Sequence, residues 1–287
     1  ALNAYFKDKL NDIELNKVKL EGVFNNRKQE LKIVNFSSLI NEKILNGSFS
    51  ISNFKEPIYF FSLNGLIDLN KNIFSNYLKD VSLEGETGFK IESKIITKKG
   101  NLLFEKINGK LSSKKIVLDH KAKNTLLILN NLDLNFSKKE IVLVTKESSF
   151  NKDDFDLKIS VKNWDKVIFS DSKELKITYD LNINKFHLDD FIKLFSLEDS
   201  SSKRYQFDFK GVFNAEELYY DTFKAYNVSA EEIILNKSLI IKNLIMESLD
   251  GTARLNICNS DLNAKKQIWV INGDLFRLNS KKLMKSF

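Results

Sequence analysis

Two histidines, one cysteine and a few paired carboxylates are the side chains of this sequence best suited to act on a substrate. His187-Leu-Asp189-Asp190 has the chemistry of a metal half-site, but adjacent acids ahead of an apolar segment also serve as a helix N-terminal cap. His120 has no partner at metal or triad spacing. Cys258 sits in Leu255-Asn-Ile-Cys258, a strand-like setting with no neighbouring base to form a thiolate, and reads as a small packed residue. Gly85-Glu-Thr-Gly88 is too short to wrap a phosphate. Asp153-Asp154, Glu216-Glu217 and Glu231-Glu232 fall in turns or on strand surfaces. The chain carries no serine elbow, no H-E-x-x-H and no nucleotide fingerprint. The expectation is a protein that is not an enzyme, with no metal and no cofactor.

Composition narrows the partners. One cysteine in 287 residues excludes a disulfide framework. Apolar runs are broken by polar residues well before the roughly 18 needed to span a bilayer as a helix. The net charge is +7, and the basic residues are 41 lysines with only Arg27, Arg204, Arg254 and Arg277. Nucleic-acid readers cluster arginine for bidentate contacts, whereas these lysines are spread along the chain and alternate with apolar residues. They read as a solvated face, with no nucleic acid as partner. Five Asn-x-Ser triplets, starting at Asn35, Asn46, Asn135, Asn227 and Asn236, are no more than an Asn- and Ser-rich sequence supplies. One proline and ten glycines suggest few tight special turns.

The elements that carry these residues alternate with period two. Phe155, Leu157, Ile159 and Val161 are separated by polar residues, as are Leu175, Ile177, Tyr179, Leu181 and Ile183. This places apolar side chains on one face of a sheet and polar ones on the other. The same reading covers residues 13–24, 45–54, 58–69, 81–91, 110–118, 132–136, 205–213 and 267–275. Short polar connections such as Lys98 to Asn101 and Asn151 to Asp154 fit hairpins. Helical spacing is confined to Asn70–Lys79 and Leu188–Phe195, and the first residues, Ala1 to Asn11, suit a third short helix. The expected fold is mostly β: an elongated, curled antiparallel sheet of repeated strand, short helix, strand units.

An internal repeat supports that organisation. Val81-Ser-Leu-Glu84 follows the first helical segment as Phe195-Ser-Leu-Glu198 closes the second, and Asn70-Lys71 matches Asn184-Lys185. Phe104 to Asn108 and Ile116 to Leu118 have counterparts in Phe223 to Asn227 and Ile233 to Leu235. The copies run from about 45 to 145 and from about 160 to 275, within a single elongated body spanning 1–287.

Gly47-Ser-Phe-Ser-Ile-Ser-Asn-Phe54, then Pro57 and the strand from Phe61 to Leu69, resembles the repeated unit of AsmA-like proteins of Gram-negative bacteria, the Bacteroidetes type in particular. Phe209-Lys-Gly-Val-Phe213-Asn-Ala215, Leu218 to Tyr220, Asn227 to Ala230, Leu239 to Met246 and Asp250-Gly-Thr-Ala253 resemble the family's C-terminal region. The resemblance implies a periplasmic β-groove protein, anchored in the inner membrane by a helix and implicated in phospholipid transport and outer-membrane integrity. Ala1 to Leu10 is no such anchor, so the chain is expected to be a segment following one or a shorter soluble relative.

The residues and the resemblance together give the expected function: a lipid-binding or lipid-conducting protein whose acyl-chain ligand lies against Phe155, Leu157, Ile159, Ile177, Tyr179, Leu181, Ile183, Phe207 and Phe209. Envelope proteins and a membrane reached through another segment are the further expected partners. The alternative is a non-enzymatic envelope assembly factor that offers sheet edges or an aromatic groove to an outer-membrane protein client. A glycan-binding β protein is a third reading. Alternation alone does not decide whether the apolar face is closed into a sandwich or left open.

Overall fold

The computed structural model describes residues 4–8, 13–40, 42–69, 81–98, 100–121, 124–169, 174–187, 206–235, 238–260, 268–277 and 279. The chain divides into two compact units, residues 1–145 and 146–287. The first holds β1 (Ala4–Asp8), β2 (Ile13–Asn25), β3 (Glu30–Ile40), β4 (Lys43–Ser52), β5 (Ile58–Asp68), β6 (Val81–Lys98), β7 (Asn101–His120) and β8 (Thr125–Ser137). The division falls within β9 (Glu140–Phe150). The second unit continues with β10 (Asp153–Lys162), a helix α1 (Trp164–Phe169), β11 (Glu174–His187), β12 (Gln206–Tyr220), β13 (Phe223–Leu235), β14 (Ser238–Ser248), β15 (Gly251–Asn259) and β16 (Trp269–Phe276). In each unit spatial neighbours are sequence neighbours.

The expectation of a mostly β, antiparallel sheet is met, and the sheet is open, which alternation left undecided. Cross-strand pairs such as Phe49 with Phe61 and Leu63 with Ile91 put apolar groups side by side on one face. Hairpins close it, with Asn151 and Lys152 both at positive φ between β9 and β10. One pair departs from the meander: β11 and β12 run parallel, Leu175 opposite Phe207 and Ile183 opposite Ala215. The residues expected to be helical at 70–79 and 188–195 lie outside those described. The third expected helix is corrected. Ala4 to Asp8 form β1, paired with β2 through Phe6 opposite Leu15, so a neighbouring edge supplies the hydrogen bonds that a two-turn helix would have had to make alone. Helix α1, β3, β9, β13 and β14 fall outside the spans expected from alternation.

The few-turns inference is also corrected. Among the described residues, sixteen that are not glycine have positive φ, seven of them asparagine. Asparagine tolerates the left-handed region better than most residues, so it carries turns that glycine would otherwise make.

The described residues of neither unit form a second layer. Among the described residues, substantial contacts between elements run only between neighbouring strands, apart from α1 against β11. The largest fully buried side chains among the described residues are Asn259, Thr145 and Ser148. A packed sandwich of this size would bury many whole Leu, Ile and Phe side chains; here only Leu45, Ile116, Leu132, Phe155 and Ile183 are buried among the described residues of those types, and the rest are half-covered or exposed.

The long strands change phase partway. In β7, Lys114 and Lys115 are both exposed between buried Ser113 and Ile116, and in β8 Asn130 and Asn131 lie between Leu129 and Leu132. Ser113 pairs with Leu132 and Ile116 with Leu129, so both strands skip together and keep register. Inward positions thus shift from odd to even in β7. The second unit repeats the device across three strands: Ile183, Ala215 and Val228 pair in one row and Phe186, Leu218 and Ala225 in another, with two residues between the rows on every strand. Positive φ marks these breaks at Asn131 and Asn227, and similar left-handed residues interrupt β2 at Lys17 and β14 at Asn243. Buried hydroxyls bond nearby carbonyls. Ser38 Oγ donates to Asn16 O at 2.9 Å, beside Lys17, and Thr145 Oγ1 to Asn130 O at 2.6 Å, beside Asn131. Such irregularities bend a strand and increase its local twist.

Candidate functional site

The sequence-derived residues converge on β10, β11 and β12. Phe155, Leu157 and Ile159 lie opposite Ile183, Leu181 and Tyr179. Across the parallel pair, Ile177 lies opposite Phe209, while Phe207 occupies the position opposite Leu175. Paired residues share a face, so these register positions all belong to one side of the second unit's sheet. Phe155 and Ile183 are buried; Leu157, Ile159, Ile177, Tyr179, Leu181 and Phe209 are half-buried. Phe213, opposite Leu181, extends the face and makes an edge-on contact with Phe186, ring centroids 5.0 Å apart.

Tyr179 is not simply a lining residue. A Cβ on Gly211, its partner in β12, would lie 2.2 Å from the Tyr179 ring, so the ring lies across the bare backbone of that glycine. Phe136 covers Gly109 in the first unit in the same way. Beyond Gly211 the Tyr179 hydroxyl donates to Glu232, which is half-buried on the same face. Burial, reinforced by this carboxylate and its charge, pushes the Tyr179 hydroxyl pKa far above its ordinary value. Glu232 is therefore a carboxylate set into an apolar surface and held there by one phenol.

The opposite face is polar and, at the phase break, recessed. An open concavity of about 680 Å³ is lined by Glu147, Asp154, Asp156, Asn182, Asn184, Asn214, Glu216 and Asn227 among others. Its carboxamides are linked: Asn214 Nδ2 donates to Asn182 Oδ1 at 2.9 Å, and Asn227 Nδ2 to Glu247 Oε2 at 3.1 Å. Past the break, Lys224 Nζ lies 4.8 Å and 4.5 Å from the ring centres of Tyr219 and Tyr226 and 3.1 Å from Glu217. Hydrogen bonds to Tyr219 and Tyr226, and then to Glu217, raise the Lys224 pKa. The Tyr219 hydroxyl, followed by Lys224, holds the Glu217 carboxyl below its usual range. His187 stacks on Tyr219 at 4.8 Å, and its Nδ1 donates to Asp153 Oδ2 at 2.7 Å. These groups satisfy one another and leave no activated nucleophile.

His187 is thus engaged with Asp153, while Asp189 and Asp190 lie outside the described residues. Among the described residues no three His, Cys, Asp or Glu side chains are grouped to hold a metal. Cys258 lies in β15, half-buried. No described helix is long and apolar enough to cross a membrane. What sequence reasoning missed is the phase break and the polar recess above it. Their signals are the consecutive polar pairs Asn184-Lys185, Glu216-Glu217 and Tyr226-Asn227 inside otherwise alternating strands. No family model, curated protein or solved structure matches the chain.

Proposed function

We propose that the chain binds acyl-chain lipid on the apolar face of β10–β12 and conducts it along that face, as a periplasmic protein supporting phospholipid transport and outer-membrane integrity. The observation that carries the reading is an apolar face without a covering layer. Leu157, Ile159, Ile177, Tyr179, Leu181, Phe209 and Phe213 are half-buried by their own strands and, among the described residues, covered by no others. Covering such a surface with an acyl chain gains about 25 cal/mol per Å² of apolar area removed from water. The bends at the phase breaks support a curled groove, because they turn each strand partway along its length. Headgroups remain at the lysine-bearing rim. The periplasmic setting and the membrane anchor rest on the resemblance to AsmA-like proteins.

The test is substitution on the face itself. Ile159→Glu with Leu181→Glu places two carboxylates on adjacent strands at half-buried positions. The variant is expected to keep its strand circular dichroism and to lose the lipid that co-purifies with the unmodified protein. Unchanged lipid by native mass spectrometry in a folded variant contradicts the proposal.

A further inference from the structure

All eight residues of β16, Trp269 to Phe276, are exposed. The strand has β15 on one side and, among the described residues, nothing on the other. Its apolar groups are large: Trp269 is 47% exposed, Ile271 59%, Leu275 59% and Phe276 49%. A free edge presents unpaired backbone donors and acceptors, and natural sheets blunt such edges with short strands, lysine, proline or bulges. β1 fits that practice, with five residues ending in Lys7-Asp8. β16 does not. Its register with β15 is uninterrupted and Asp274 is its only charge. Just after the strand Arg277 turns at positive φ, and Asn279 N donates to Leu249 O at 2.8 Å, on the β14–β15 turn.

We infer that β16 is an interaction surface for a second copy of this chain, the two strands pairing antiparallel about a two-fold axis through Gly273. The occupant follows from the order of residues. From Trp269 to Arg277 the sequence is Trp-Val-Ile-Asn-Gly-Asp-Leu-Phe-Arg, and about its central glycine it is self-complementary. Val270 meets Phe276 of the second copy, Ile271 meets Leu275, Asn272 meets Asp274, and Trp269 meets Arg277, each pair occurring twice as a two-fold axis requires. Apolar residues face apolar ones, each Asp274 faces a carboxamide donor, and each arginine faces an indole. Centring instead on Asn272 sets Val270 against Asp274, and centring on Asp274 sets Ile271 against Arg277. On β16 the odd-numbered residues pair with Ala253, Leu255 and Ile257 of β15, so the pairing carries their shared apolar face into the second copy.

The mass of the full chain in solution tests this. Sedimentation velocity over a micromolar series is expected to give twice the 33.2 kDa chain mass. Ile271→Lys, at a position already exposed, returns the monomer with unchanged circular dichroism. Asn272→Asp sets a carboxylate against each Asp274 and weakens dimerisation about tenfold or more, the equivalent of 1.4 kcal/mol. Adding Asp274→Asn restores the Asn–Asp pairing and the dimer. In a Cys258→Ser background, mixing Ile271→Cys chains with Leu275→Cys chains gives a disulfide-linked heterodimer. A monomeric unmodified chain, including one that captures a client strand but not itself, overturns the inference. So does a dimer indifferent to Ile271→Lys, or one in which the double exchange fails to rescue Asn272→Asp.

Discussion

Tyr179 shows how much a single residue's role depends on its cross-strand partner. In the sequence it is one apolar position in an alternating run. In the fold its ring lies over Gly211 and its hydroxyl reaches Glu232, so it covers backbone and neutralises a carboxylate's need for a donor. Glycine is required at 211 for space rather than backbone freedom, because a side chain there meets the ring. Gly211→Val is expected to cost about 1–3 kcal/mol in urea unfolding, the range for overpacking a well-fitted contact. Most of that cost should vanish when Gly211→Val is compared with its parent in a Tyr179→Ala background, since the ring is what the valine strikes. Equal costs in the two backgrounds would show that the ring does not lie there. The identity of the lining residues was legible from alternation, but Tyr179's partners were not: period two fixes which side a residue takes, whereas the residue opposite depends on register.

At the scale of elements, the phase break is the feature that alternation hid. β9 combines an apolar run, Ile141 to Val144, with the exposed pair Lys146-Glu147 between buried Thr145 and Ser148. A single-phase reading finds no strand in such a segment. β3 is obscured in the same way, its pairing with β4 slipping between Ile33 and Phe36. Long strands therefore read short, as β7 did, of which only 110–118 was expected as a strand. The breaks rest on left-handed residues, which gives a direct prediction at Asn227. Asn227→Val forces a β-branched residue to positive φ and is expected to destabilise the second unit by about 1–2 kcal/mol. Asn227→Gly loses the same bond to Glu247 without that strain, and should unfold later in urea than the valine variant. Valine equal to or better than glycine would mean that β13 runs straight through position 227.

For the whole molecule, each unit's described strands form a sheet that leaves most of its apolar side chains half-covered on one face. The mostly β, antiparallel architecture was legible because hairpin signals and alternation recur through both units, and neighbours in sequence became neighbours in space; that the sheet is open was not, since alternation is the same in a closed sandwich. The parallel join of β11 to β12 was not legible, since alternation is the same for either strand direction. The central claim is that the odd-numbered face of β11 holds acyl chains. It is tested most directly by a photo-crosslinking residue at Leu181 or, on the opposite face, at Asn182, irradiated in protein incubated with phospholipid vesicles. The account predicts a lipid-mass adduct at 181 and none at 182. Equal labelling at both positions, or labelling at 182 alone, would contradict it.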